Sequence, residues 1–323
     1  MEIRKVITFL EPEWTHYQRL IFSAVETSDT LLSQMNNYLT DKRGKQIRPL
    51  LSLLSSRLFG ESNQMSTVVA AVVEMVHTAT LLHDDVADQS DTRRGVLTVQ
   101  KSYSPLASVL LGDFWLARAF QLLMDYHGES LLHYFAHVIR EMSEGELFQM
   151  GKAKQFNTTI PEYYQIITKK TATLMAAGMG AGARATGAND QQSALIEKMG
   201  IFLGVAFQIR DDILDYSPQL NTGKPCGQDI WEEKMTLPLL YALEQAPLGV
   251  RTEVEGWFRK IKTHREIVPK IIDFVTDYRG IKLAQKAIFQ NEREAKEQLM
   301  QCPESESRRH LWDVVGFLSG RNS

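Results

Sequence analysis

From Gln64 to Asp88 apolar residues recur at helical spacing. Met65, Val68, Val69, Val72 and Val76 form one stripe, and the run closes on three carboxylates, Asp84, Asp85 and Asp88. A helix this long with an apolar stripe must bury it against other elements. Strands are not on offer, because the chain shows no sustained period-two alternation and no Asn-Gly hairpin. Further helices are predicted over Glu13 to Leu39, Gln46 to Phe59, Pro105 to Tyr126, Ser130 to Met150, Pro161 to Thr186 and Gln191 to Tyr216. A polar loop follows from Ser217 to Asp229, then shorter helices from Leu237 onward. The expectation is an all-α chain, residues 1–323 as a single domain, built as a large bundle with polar groups of facing helices in a central cavity.

The carboxylates give the first chemical lead. Asp84 and Asp88 sit one helical turn apart with Asp85 beside them, and such charges repel by roughly 1–4 kcal/mol per pair at ~4 Å. A hard divalent cation relieves that cost, and Mg²⁺ bridged to a substrate phosphate suits carboxylate oxygens best. Arg93 and Arg94 follow at once, with the planar forks that grip phosphate. A second cluster lies in FQIRDDILD, where Gln208, Asp211, Asp212 and Asp215 share one helix face among apolar neighbours. Two D-D-x-x-D clusters on helices point to a two-sided metal clamp.

Other polar signals are weaker. Lys45 and Arg48 stand three apart at a helix start, which is an anion site or a solvated basic turn. His77 lies seven residues before Asp84 and shares its face; His83 reads as a packed neighbour, and Asp91 as a turn residue. Lys169 and Lys170 precede Thr171, and spacing does not say which lysine faces inward. Lys224 and Lys234 flank the loop after the second cluster. With 36 basic against 39 acidic residues there is no broad nucleic-acid footprint. Two cysteines, Cys226 and Cys302, exclude a disulfide framework and suit a reducing cytoplasm. No leader is expected, and no stretch of about 18 uninterrupted apolar residues suggests a membrane span.

Taken together, GKQIRP, EMVHTATLLHDDVAD with QSDTRRG, LLGDFWLARA, SEGELFQM, KKTATLMAAG, FQIRDDILD, GKPCGQD and KMTLPLLYAL resemble the trans-isoprenyl diphosphate synthases, also called polyprenyl synthetases. The resemblance runs from Gly44 to Leu243 in the family's order. It implies one all-helical domain around a deep cavity, a homodimer, and head-to-tail condensation of an allylic diphosphate with isopentenyl diphosphate. It implies Mg²⁺, three ions with the allylic diphosphate, held by Asp84, Asp85, Asp88, Asp211, Asp212 and Asp215. Arg93, Lys170, Thr171, Gln208, Lys224 and Lys234 would contact the allylic substrate, with Arg93 and Lys170 counted among the catalytic groups. Lys45, Arg48, His77 and Arg94 would hold isopentenyl diphosphate. Peripheral membrane association for product release is a further expectation.

The chain departs from the family at Trp231 and Glu233, where an arginine and a glycine are common, and at Arg210, where an apolar or small residue is frequent. Short-chain members of the family carry an aromatic residue four or five positions before the first aspartate, closing the cavity. Here those positions hold Thr80 and Ala79. Small side chains there predict products longer than geranylgeranyl diphosphate, of the kind used as quinone side chains; the alternative is that they let a neighbouring helix pack closely. A short-chain synthase, a class I terpene cyclase and a regulatory subunit of a heteromeric synthase are the rival readings.

Overall fold

Asn63 opens the long apolar helix: its side chain accepts from Ser66 N–H while Ser66 Oγ accepts from the Asn63 N–H, a reciprocal cap that satisfies two backbone donors. The helix runs Gln64–Ala87 and ends at Asp88, whose N–H returns to Asp84 O at 2.8 Å. The computed structural model describes residues 3–41, 44–93, 95–153, 155–217 and 226–318. These are helical almost throughout, in the order Ile3–Phe9, Glu13–Ala24, Thr30–Asp41, Ile47–Ser56, Gln64–Ala87, Val99–Ser102, Pro105–Asp125, Glu129–Ala153, Ile160–Ile167, Thr173–Ala185, Asp190–Asp215 and on to Glu306–Leu318.

The all-α expectation holds, with three local corrections. The predicted helix from Glu13 to Leu39 is two, because Asp29 Oδ1 accepts Leu32 N–H at 2.8 Å and starts a new helix. Asn36 Nδ2 then ties the break by donating to Val25 O at 2.7 Å. The helix predicted from Pro161 to Thr186 is interrupted by a π-helical turn, Thr168–Ala172. Finally, Thr92–Arg93 pairs antiparallel with Val96–Leu97 in a minimal hairpin that period-two counting is too coarse to find.

The chain divides into two compact units. The first comprises Met1–Val138, Leu174–Gly200 and Glu297–Val314. In it the Gln64–Ala87 helix packs against Glu13–Ala24, Ile47–Ser56 and Pro105–Asp125. By length and composition alone Gln64–Ala87 and Pro105–Asp125 are each apolar enough to cross a membrane, a test that core helices also pass. The first is nevertheless mostly buried within its own unit, as a core helix is. The second unit comprises Ile139–Thr173, Ile201–Lys296 and Val315–Ser323. Its core has an apolar cluster around Ile230, Phe258, Ile271 and Val275, and another around Tyr163, Ile209, Leu237 and Ala284.

Candidate active site

In the first unit the three aspartates do different work. Asp84 and Asp88, one helical turn apart, are half-buried. Asp85 is buried, and its Oδ1 accepts Arg93 Nε at 2.7 Å. Gln100 Nε2 donates to Asp85 O at 2.6 Å and Ser90 O at 2.8 Å, and Thr98 Oγ1 donates to Ser90 O at 2.7 Å. The loop carrying Arg93 is thus stapled to the helix end, and Asp85 anchors that arginine. Arg94 lies outside the described residues.

Arg48 of Ile47–Ser56 and His77 of Gln64–Ala87 meet across the two helices: Arg48 Nη1 lies 3.0 Å from His77 Nε2. A guanidinium only donates, so His77 Nε2 is the acceptor in this contact. Gln46, at φ 49, turns the chain into the Ile47–Ser56 helix and leaves Lys45 exposed just ahead of it. His83 Nε2 lies 3.3 Å from both Val109 O and Asp113 Oδ1, a packed neighbour as read. Asp91 pairs with Lys101 Nζ at 2.9 Å. Ala79 and Val76 have no exposed surface, whereas Thr80, on nearly the face of Asp84, is half-buried. Gly112 of Pro105–Asp125 lies opposite, where a Cβ would come 3.1 Å from Ala79 O.

In the second unit a hydrogen-bonded line fixes the other cluster. Thr171 Oγ1 donates to Gln208 Oε1 at 2.8 Å, and Gln208 Nε2 donates to Asp212 Oδ1 at 2.9 Å. Tyr163 Oη donates to Asp212 Oδ2 at 2.6 Å. Asp212 is buried, and that burial, with repulsion from Asp211 and Asp215, pushes its carboxyl up to about 7. Asp215 accepts Gln228 N–H at Oδ1, 2.9 Å, and Asp229 N–H at Oδ2, 3.0 Å, so it pins the returning loop. Asp211 is exposed. Asp85, Asp212 and Asp215 are thus engaged with protein donors.

The π-helical turn places both lysines against Glu129–Ala153. Lys169 pairs with Glu141 at 3.0 Å and Glu144 at 2.8 Å, and Lys170 with Glu146 and with Gln149 Oε1 at 3.3 Å. Lys234 Nζ donates to Glu232 Oε2 at 2.6 Å. Glu233 sits at φ 64, a left-handed conformation that costs a side-chain-bearing residue roughly 1–2 kcal/mol and explains why glycine is common there. Lys224 lies outside the described residues. Sequence reasoning passed over Tyr163 and Asp229. Tyr163 stands seven residues before Lys170, a spacing that was legible. Asp229 ends GKPCGQD and is half-buried beside Asp215; desolvation first, then the charges of Asp215 and Asp212, push it up to about 8.

Among the described residues no three His, Cys, Asp or Glu side chains form a ready-made metal site. Each unit offers hard carboxylate oxygens, those of Asp84, Asp85 and Asp88 in the first and of Asp211, Asp212 and Asp215 in the second, the donor type that Mg²⁺ takes.

A family profile described as polyprenyl synthetase matches residues 29–275. The chain is 32% identical to an octaprenyl diphosphate synthase of Haemophilus influenzae, over all of this chain and 98% of that one. It is 34% identical to a short chain isoprenyl diphosphate synthase of Methanothermobacter thermautotrophicus, over 91% of each. The crystal structure of a polyprenyl synthase from Caulobacter crescentus, complexed with calcium and isoprenyl diphosphate, superposes with a TM-score of 0.92 at 31% identity, covering all of this chain and 98% of that one. With the motifs in order and the fold in common, the chain belongs to the polyprenyl synthetase family and is a trans-prenyltransferase.

Proposed function

We propose that this enzyme is a long-chain all-trans polyprenyl diphosphate synthase. It extends farnesyl or geranylgeranyl diphosphate with several isopentenyl units, and residues 1–323 work as one catalytic domain. The observation that carries the chain length is the turn before Asp84, where Ala79 and Thr80 stand in place of an aromatic plug. The octaprenyl relative supports this reading; the short-chain relative of similar identity keeps the shorter product as the alternative.

Asp84, Asp85, Asp88, Asp211, Asp212 and Asp215 would hold Mg²⁺ with the allylic diphosphate, and of these Asp85, Asp212 and Asp215 also keep neighbouring chain in register. Mg²⁺, when bound, neutralises charge on the departing diphosphate. Arg93, Lys170 and Lys234, with Lys224, bring further positive charge to that group as its carbon–oxygen bond breaks. Thr171 orients Gln208 toward Asp212. Arg48 and Lys45, with Arg94, bind isopentenyl diphosphate, and His77 orients Arg48. Apolar walls exclude water that would quench the allylic cation. We read the enzyme as a cytoplasmic homodimer, supported by Leu106, Leu110 and Met124, which leave an apolar stripe exposed along Pro105–Asp125.

The test is incubation of purified protein with Mg²⁺, farnesyl diphosphate and labelled isopentenyl diphosphate, followed by sizing of the products. Chains longer than geranylgeranyl support the reading; arrest at geranylgeranyl diphosphate replaces it with the short-chain alternative.

A further inference from the structure

Charge in this chain is nearly balanced, yet five cations crowd one short segment. Arg259, Lys260, Lys262, Arg265 and Lys270 stand against the single carboxylate of Glu266. All five are exposed, and none forms an ion pair among the described residues. The fold produces this by dividing the segment. Phe258, Ile261, Ile267 and Val268 turn inward to one apolar cluster. The intervening chain makes two 3-10 turns, Ile261–Thr263 and Arg265–Ile267, with the charged side chains left in solvent. Lys262 Nζ and Arg265 Cζ lie over the half-buried Trp231 ring, 5.8 Å and 5.2 Å from its centroid. The tryptophan that departs from the family pattern thus forms the floor of the cationic patch.

Cations gathered without counter-ions repel one another and gain by meeting an anionic surface. We propose that this turn, residues 259–270 with Trp231 beneath it, docks the enzyme on an anionic lipid bilayer. A polynucleotide would call for a longer basic track than this acidic chain offers. Lys262 and Arg265 over a tryptophan, with three further cations in the same turn, is a composition that suits the headgroup level. A product with a long apolar tail also has to leave toward lipid; that point alone rests on the long-chain reading.

The experiment is flotation of the full chain with vesicles of phosphatidylcholine, with and without phosphatidylglycerol. Wild-type protein is expected to float with the anionic vesicles only and to be released by salt. The triple variant Arg259→Gln/Lys260→Gln/Lys270→Gln leaves the Trp231 stack intact. It should lose on the order of a hundredfold in partitioning, with melting temperature and condensation rate in detergent solution unchanged. Equal flotation with both vesicle types, or undiminished flotation of the variant, would overturn the proposal. So would tighter binding to a single-stranded polynucleotide than to vesicles of matched charge. Failure of the long-chain reading would show in product sizing and leave flotation unaltered.

Discussion

Replacing Gly204 with alanine tests whether the π-helical turn and the second aspartate helix are held in register by contact. Gly204 lies one turn before Gln208 on Asp190–Asp215, and an added Cβ would run into the Ala172 backbone at Cα, with Ala172 Cβ at 2.6 Å. Ordinary contact begins at 3.4 Å, so the two segments must part by at least about 0.8 Å. In an unobstructed helix the same exchange stabilises by up to about 1 kcal/mol through helix propensity. Overpacking here costs about 1–3 kcal/mol and more than offsets that gain. The consequence for activity is larger. Thr171, next to Ala172, holds Gln208 and through it Asp212, and a displacement near 1 Å at a positioning contact can cost as much as 10²-fold in rate. Gly256 is the internal control: it lies in Leu248–Phe258, and nothing comes within 4 Å of a Cβ built there. Thermal melts and steady-state condensation of both variants make the comparison. Gly256→Ala should melt higher with unchanged kcat, and Gly204→Ala should melt lower with kcat reduced by tenfold or more. A Gly204→Ala protein as stable and fast as Gly256→Ala would refute the register argument.

Asp211→Ala should abolish most turnover without lowering the melting temperature, since it removes an exposed, repelled charge, whereas Asp215→Ala should also destabilise by about 1–2 kcal/mol through two lost backbone acceptors; equal melting of the two variants would contradict this division. Asp212 and Asp229 keep protons that the unfolded chain has released between about pH 4 and their raised values of about 7 and about 8, so the metal-free protein should lose stability as pH rises through that window. Melts in chelator should show Asp229→Asn above wild type at pH 8.5 with the gap narrowing at pH 5.5, and a constant gap would reject the assignment. Thr80→Phe should shorten the products while the first condensation persists. Ala79→Phe should shorten them and also lower the melting temperature, because Ala79 has no free surface and Gly112 lies opposite; full-length product from both variants would remove this turn from chain-length control.

Why some of this was legible in sequence and some was not follows from where each interaction is made. Helical periodicity and clustered aspartates are local patterns, so the long apolar helix, both D-D-x-x-D runs and the shared face of His77 and Asp84 could be read directly. The π-helical turn at Thr168–Ala172 is absent from such counting because it depends on Gly145 and Gly204 admitting the displaced backbone at Lys169 and Ala172. The six aspartates looked equivalent for the same reason. That Asp85, Asp212 and Asp215 also hold the scaffold is written by partners eight, forty-nine and thirteen or fourteen residues away. Spacing within a motif says which face a carboxylate shares; the partners brought by folding decide what else its oxygens hold. Asp85, Asp212 and Asp215 therefore hold neighbouring chain in place whatever else they bind. Burial raises the buried Asp212 and the half-buried Asp215, so negative charge at this helix end is costly in the folded chain. Under the function proposed above, a divalent cation bound with a diphosphate would offset that cost and so couple substrate binding to the backbone that Asp215 holds at Gln228 and Asp229.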